Sequence, residues 1–158
     1  MTCPAGTFNG YDILFNVAYS CPSTQPAAGA YKRIGMLRGK TWTATNATSE
    51  TTGDTTVGKQ KSYAVTTVEY SGSFDGVCYT DTAQNQLELY LHAMYEGNQV
   101  GGVDRGYVWV QIVFPDMVVE GPALISTFER TASNEEQSTF SFEIQSAGGA
   151  YGFTVDPV

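Results

Sequence analysis

The sequence predicts a mainly β protein with a single flanking helix, and three observations carry that prediction. Residues 11–19, YDILFNVAY, and 138–146, STFSFEIQS, alternate apolar and polar side chains with a period of two, so each strand has one inward and one outward face. Residues 81–96 carry the one helical period, with Ala83, Leu87, Leu91 and Met94 on a common face. Charged residues are only 15% of the chain while Gly, Thr, Ser and Tyr are abundant, the composition of a sheet protein with many turns. A chain of 158 residues suits one domain with its own core, and residues 1–158 are expected to form one.

Residues 1–10, small and interrupted by Pro4, Gly6 and Gly10, read as an N-terminal arm. Tyr11, Ile13, Phe15, Val17 and Tyr19 then share a strand face, and residues 20–30 are a Pro- and Ala-rich connection. Residues 31–44 form a strand or pair of strands broken at Gly35 and Gly39. They hold Lys32, Arg33, Arg38 and Lys40, four of the eight basic residues, spread as charges that protect a sheet edge. Residues 45–61, TNATSETTGDTTVGKQK, offer Val57 as their one branched aliphatic side chain. No core can be built from them, and a long polar loop is expected.

Residues 62–74 make a long strand of β-branched and aromatic residues, closed by the Asp75-Gly76 turn signal. The helix over 81–96 has Thr80 or Asp81 to cap its start and Gly97 to end it. After a Gly-rich loop, YVWVQIVF over 107–114 is apolar at nearly every position, which implies core on one face and a partner on the other. The hairpin that follows joins VVEGPALISTFER, bent at Gly121 and Pro122, to STFSFEIQS through the polar turn SNEEQ. Residues 151–155 add a short last strand.

Little chemistry is visible. Sixteen acidic against eight basic residues give a formal net charge of -8 with no basic run, which excludes nucleic-acid binding by phosphate neutralisation and favours lying near DNA without adhering to it. Cys3, Cys21 and Cys78 lack metal-ligand or redox spacing and read as reduced thiols; a Cys3–Cys21 bridge would need an oxidising compartment. The N-terminus does not read as a secretory signal, and no apolar run has the length of a membrane span. Asn46-Ala47-Thr48 matches the glycosylation sequon by chance.

His92, the single histidine, reads as a partly exposed mid-helix residue, so a His-based metal site or a Ser-His-Asp arrangement has no support. No GxSxG elbow, Walker loop or dinucleotide fingerprint occurs. The pairs Asp104 with Asp116 and Glu135 with Glu136 read as solvated surface. Trp42 and Trp109 are candidate sugar-stacking platforms, although on strands such residues more often serve core or interface. No catalytic residue, cofactor or metal site is expected, and the chain does not read as an enzyme.

One resemblance adds to this reading. Ile34-Gly35-Met36-Leu37-Arg38, Asn46-Ala47-Thr48-Ser49-Glu50-Thr51-Thr52, Ser71-Gly72-Ser73-Phe74, Pro115-Asp116, Glu120-Gly121-Pro122 and Ser146-Ala147-Gly148 follow one another in an order and spacing that resemble the major tail tube proteins of long-tailed bacteriophages and related gene transfer agents. The resemblance spans most of the chain and departs from it in residues 1–30, which are longer and richer in Pro and Cys. It implies a β-sandwich or partial barrel of antiparallel strands with one flanking helix. It implies a virion structural subunit that self-assembles into stacked, hexameric rings enclosing an acidic conduit for DNA. Tape measure, tail terminator and distal tail proteins would be its other partners, in the virion tail after assembly in the host cytoplasm.

By the same resemblance the loop over 45–61 reaches an adjacent ring, with Asn46, Thr48, Glu50, Thr52, Asp54, Thr56 and Lys59 as its contact residues. Which residues face the lumen is not legible at this level. The competing expectation is a β-sandwich carbohydrate- or receptor-binding module of a phage or cell surface, with aromatic side chains exposed in one groove. A small hydrolase would need carboxylates gathered in a pocket.

Overall fold

Eight antiparallel strands and one α-helix make up the computed structural model, which describes residues 12–53, 61–95, 97, 99–148 and 151–158. The strands are β1 (Leu14–Ala18), β2 (Lys32–Arg33), β3 (Leu37–Glu50), β4 (Tyr63–Val77), β5 (Tyr107–Val113), β6 (Met117–Thr131), β7 (Thr139–Ser146) and β8 (Thr154–Pro157); α1 (Gln86–Met94) lies between β4 and β5. They form one sheet in the order β2-β1-β5-β6-β7-β4-β3, with β8 added to β6. The expected N-terminal arm over 1–10 falls outside the described residues.

The long strand β6 organises this sheet. Its first half pairs with β5 along one edge and with β8 along the other, through Met117↔Pro157 to Glu120↔Thr154. Its second half pairs with β7 from Ala123 to Thr131, so β8 and β7 occupy the same edge in succession. A register shift between Ile125 and Thr127 marks a bulge, which bends the strand where it passes from one neighbour to the next.

The sheet folds over on itself as a result. β1 and β4 are four strand spacings apart in the order, about 19 Å in a flat sheet. Yet the Phe15 ring on β1 lies 4.4 Å, centroid to centroid, from Phe74 on β4, and 5.5 Å from Phe142 on β7. The core between the two layers is built on these rings with Ile144, Val110, Ile112, Val119 and Leu89. The two ends of the sheet approach without pairing: Lys40 Nζ on β3 donates to the Ile13 carbonyl at 2.5 Å, and the barrel stays open. This is the expected sandwich or partial barrel.

Several parts of the chain depart from the sequence reading, β4 among them, which runs through Asp75-Gly76 to Val77. Residues 45–50, expected as loop, belong to β3, each paired with β4, as in Thr45↔Glu69, Asn46↔Val68 and Glu50↔Tyr63. They escape an alternation test because neither face there covers a core, while their threonines favour extended backbone. The connection between the strands is therefore residues 51–62, of which 54–60 lie outside the described residues. Gly39 does not break the strand; it follows a register shift after Leu37.

The helix is shorter than residues 81–96. Asp81 caps a separate 3-10 turn at Thr82–Gln84 by accepting from Ala83 N. Asn85 then takes a left-handed conformation (φ 60°), held by its side-chain amide donating to the Arg33 carbonyl. That residue resets the helical phase, so α1 buries Gln86, Leu89, His92 and Ala93 and leaves Leu87 57% exposed. His92 is buried, not partly exposed. Gln86 is buried because it works as a clamp: its Nε2 donates to the carbonyls of Gly35 and Val77, and its Oε1 accepts from Tyr79 N.

The second face of β5 is covered by the chain itself. Trp109 Nε1 donates to the Cys21 carbonyl at 2.9 Å, and Tyr151 packs edge-on against the indole. Beside it, Asn16 donates to Gln111, and Tyr31 hydroxyl donates to Glu120 at 2.5 Å, which with burial holds the phenol protonated well above its ordinary range.

Candidate functional site

The single histidine and both tryptophans are engaged by the fold. His92 sits beneath α1, with Nε2 donating to the Tyr107 carbonyl at 2.9 Å and Nδ1 accepting from Val100 N at 3.2 Å. Both ring nitrogens are committed to the neutral tautomer, and burial lowers the imidazole pKa. Trp109 is buried, and Trp42 stacks at 5.8 Å on Tyr70 while Phe153 packs against both rings. Neither tryptophan offers a free stacking platform. Glu135 and Glu136 lie in the exposed β6–β7 turn. Among the described residues no group of three His, Cys, Asp or Glu side chains could hold a metal ion. Cys21 and Cys78 are free thiols, and Cys3 lies outside the described residues.

What stands out instead is a ribbon. The distal halves of β3 and β4 leave the folded body as a two-stranded hairpin exposed on both sides. Register assigns its faces. Residues opposite one another point to the same side, so Trp42, Ala44, Asn46, Thr48 and Glu50 share one face with Tyr70, Val68, Val65 and Tyr63. A bulge after Ala47 preserves this parity by setting Thr48 against Val65, and Thr66 Oγ1 donates to the Ala47 carbonyl.

This face continues the core side of the sheet past Ser71, where the pairing of β4 with β7 stops. At its base Trp42 and Tyr70 are covered by Phe153, which rests on Gly121. Further out, Val68, Val65 and Tyr63 are 47%, 60% and 58% exposed among the described residues. An isolated two-stranded ribbon with an uncovered apolar face has little stability of its own.

The opposite face is mostly polar and runs across four strands. Its rows are Gly39–Asp75–Ser141–Glu129, Thr41–Ser73–Glu143–Thr127 and Thr43–Ser71–Gln145–Leu124, with Thr45–Glu69 beyond. Every ionisable residue in these rows is a carboxylate: Glu69, Asp75, Glu129 and Glu143. Hydroxyls fill most of the remainder.

The expected contact residues divide three ways. Asn46, Thr48 and Glu50 lie on the ribbon's apolar side; Thr52 sits just beyond it, with its hydroxyl accepting from Ser62 N; Asp54, Thr56 and Lys59 are outside the described residues. Sequence reasoning missed Tyr63, Val65 and Val68. They sit in a β-branched, aromatic run that reads as an interior strand. Their pairing with the Thr-rich segment was the signal that they reach beyond the core.

Residues 7–150 match the phage tail tube protein family. The chain belongs to that family. Its role is accordingly that of a tail tube structural subunit. No curated protein is significantly similar in sequence.

Solved structures share the fold at low identity. The tail of an empty gene transfer agent particle, computed with helical refinement in C6 symmetry, is 18% identical with a TM-score of 0.68, covering 96% of this chain and 99% of that one. The SPP1 tail tube is 15% identical with a TM-score of 0.63, covering 96% and 80%. The sheath–tube complex of an extracellular contractile injection system, in its extended state, is 10% identical with a TM-score of 0.57, covering 98% and 94%.

Proposed function

We propose that this tail tube subunit assembles into hexameric rings that stack into a hollow tube, with the acidic rows facing a lumen through which DNA passes. The observation that carries this reading is the polar four-stranded face with Glu69, Asp75, Glu129 and Glu143 in its rows and no basic residue among them. Lining a bore, these carboxylates repel phosphate and keep DNA from adhering.

The same four strands supply the means of closing a ring. Among the described residues no strand pairs with the outer edge of β3 or with the outer edge of residues 126–131 in β6. Free edges are ordinarily a hazard, and one copy's β3 against the next copy's β6 removes both. Such a contact is head-to-tail and closes by rotation, whereas stacking of rings requires a second contact that never closes. The ribbon, with Asn46, Thr48 and Glu50 on its apolar side, makes the second contact, extended by the connection that includes Thr52, Asp54, Thr56 and Lys59. Tape measure, tail terminator and distal tail proteins would meet the tube inside and at its ends. The subunit would be found in the virion tail, after assembly in the host cytoplasm.

The experiment is negative-stain electron microscopy of the purified protein across a concentration series, with sedimentation alongside. Open-bored rings or tubes are expected. Deleting residues 46–58 is expected to leave a folded subunit that no longer forms tubes, and normal tubes from that deletion would overturn the ribbon's role. A solid rod, or a bore lined by the opposite face, would overturn the lumen assignment.

A further inference from the structure

The molecule has a second uncovered apolar surface. A groove of about 500 Å³ opens between α1 and the far ends of β4 and β6, lined by Tyr79, Asp81, Gln86, Leu87, Leu91 and Arg130. Leu87 and Tyr79 are 57% and 45% exposed. Exposed Leu87 and half-buried Leu91, one turn apart on α1, form a stripe outside the buried core cluster.

We infer that this groove receives the apolar face of the ribbon from the next copy along the tube axis. The inference rests on the stacking reading above and assigns its second surface. Three features support it. The first is direction. β4 begins at Tyr63 on the ribbon and ends at Val77, two residues before Tyr79 in the groove. Ribbon and groove thus sit at opposite ends of one 15-residue strand, about 50 Å apart at strand rise. A translation along that strand carries the ribbon of one copy to the groove of another, and repeating it builds an open stack.

The second is apolar match. Tyr63, Val65 and Val68 are one patch and Leu87 and Tyr79, beside half-buried Leu91, the other; all but Leu91 are exposed in the subunit alone. The third is charge. Asp81 caps the 3-10 turn and Glu88 is paired with Lys32 at 2.9 Å, so the acids beside the groove are already engaged. Arg130 rests on the Tyr90 ring and makes no ion pair among the described residues. Glu50 lies directly opposite Tyr63 at the ribbon's end and supplies the matching carboxylate.

Cysteine pairing tests the assignment. Val65→Cys and Leu87→Cys are placed together in a chain with Cys3, Cys21 and Cys78 replaced by serine. The protein is assembled, oxidised and run without reductant. A ladder of multimers is expected from the double variant and none from either single variant. Rings or tubes that yield only monomer would overturn the groove while leaving the tube reading intact; a protein that forms neither rings nor tubes at any concentration would overturn both.

Charge reversal provides a second measurement should the cysteine-free chain fail to fold. Glu50→Arg and Arg130→Glu are each expected to shorten tubes several-fold in micrographs, with rings retained, and the double variant to restore length. No restoration would overturn the Glu50–Arg130 pairing.

Discussion

Replacing Phe15 with alanine tests whether the sheet is folded over on itself. Phe15 is 1% exposed, and its ring lies within 4.4 and 5.5 Å of Phe74 and Phe142. A phenylalanine truncated in such a core costs about 3–5 kcal/mol. For a domain of this size each kcal/mol lowers Tm by roughly 2–4 °C, so a loss of roughly 6–20 °C is expected. The diagnostic quantity is its coupling with Phe74→Ala. Three strands separate β1 from β4, and the two rings meet only because β6 bends between them. Urea titrations of both single variants and the double variant, followed by circular dichroism, should give a coupling of about 0.5–1.5 kcal/mol. Additivity within about 0.3 kcal/mol would refute the closure. Val68→Ala, on the same side of the same sheet but 47% exposed, is the internal control, expected to change subunit stability by less than about 0.5 kcal/mol.

Gln86→Leu keeps the side chain's bulk but strips three hydrogen bonds from the carbonyls of Gly35 and Val77 and the amide of Tyr79. At about 1–3 kcal/mol per abandoned buried group, a loss of about 3–9 kcal/mol is expected in the same titration, and a neutral result would show that water replaces the clamp. His92 gives a pH dependence. Its folded pKa is lowered by burial from the ordinary 6.5, so the neutral ring contributes stability above that value, which is lost as pH falls through the folded pKa. Tm measured from pH 7.5 down to 5 should therefore decline more steeply in the wild type than in His92→Gln; parallel curves would mean that other groups carry the acid sensitivity.

The parts of the fold legible in the sequence are those where burial differs between faces. Phe140, Phe142 and Ile144 alternate with Ser141, Glu143 and Gln145 because one side of β7 meets the core and the other meets the polar face. The first strand shows the same contrast at Phe15 and Val17. Residues 45–50 carry no alternation because both sides of them are exposed among the described residues, so the binary pattern that betrays a strand is absent. The helix is legible as an element, but its start at Gln86 and its phase are not, since the left-handed turn at Asn85 cannot be read from apolar spacing. Buried Gln86 and His92 were invisible for a related reason: their partners are backbone groups distant in the chain, and polar residues at core positions break the very pattern used to find cores. The acidic face required register, which couples Thr41, Ser73, Glu143 and Thr127 across four strands and cannot be assembled from any one segment.

That β6 serves both layers has a mechanical consequence. Wherever two sheets merely pack face to face, a shearing force can slide one over the other by disturbing side chains alone. Here the layer bearing the acidic rows and the layer bearing β1, β5 and β8 are joined by an unbroken backbone, hinged at the bulge beside Ser126. Bending of a tube can alter the angle between the layers at that hinge, but it cannot separate them without breaking a ladder of β6. Flexure of a tail built from such subunits would therefore be taken up at the contacts between copies, and the wall of the bore would keep its shape as the tail curves.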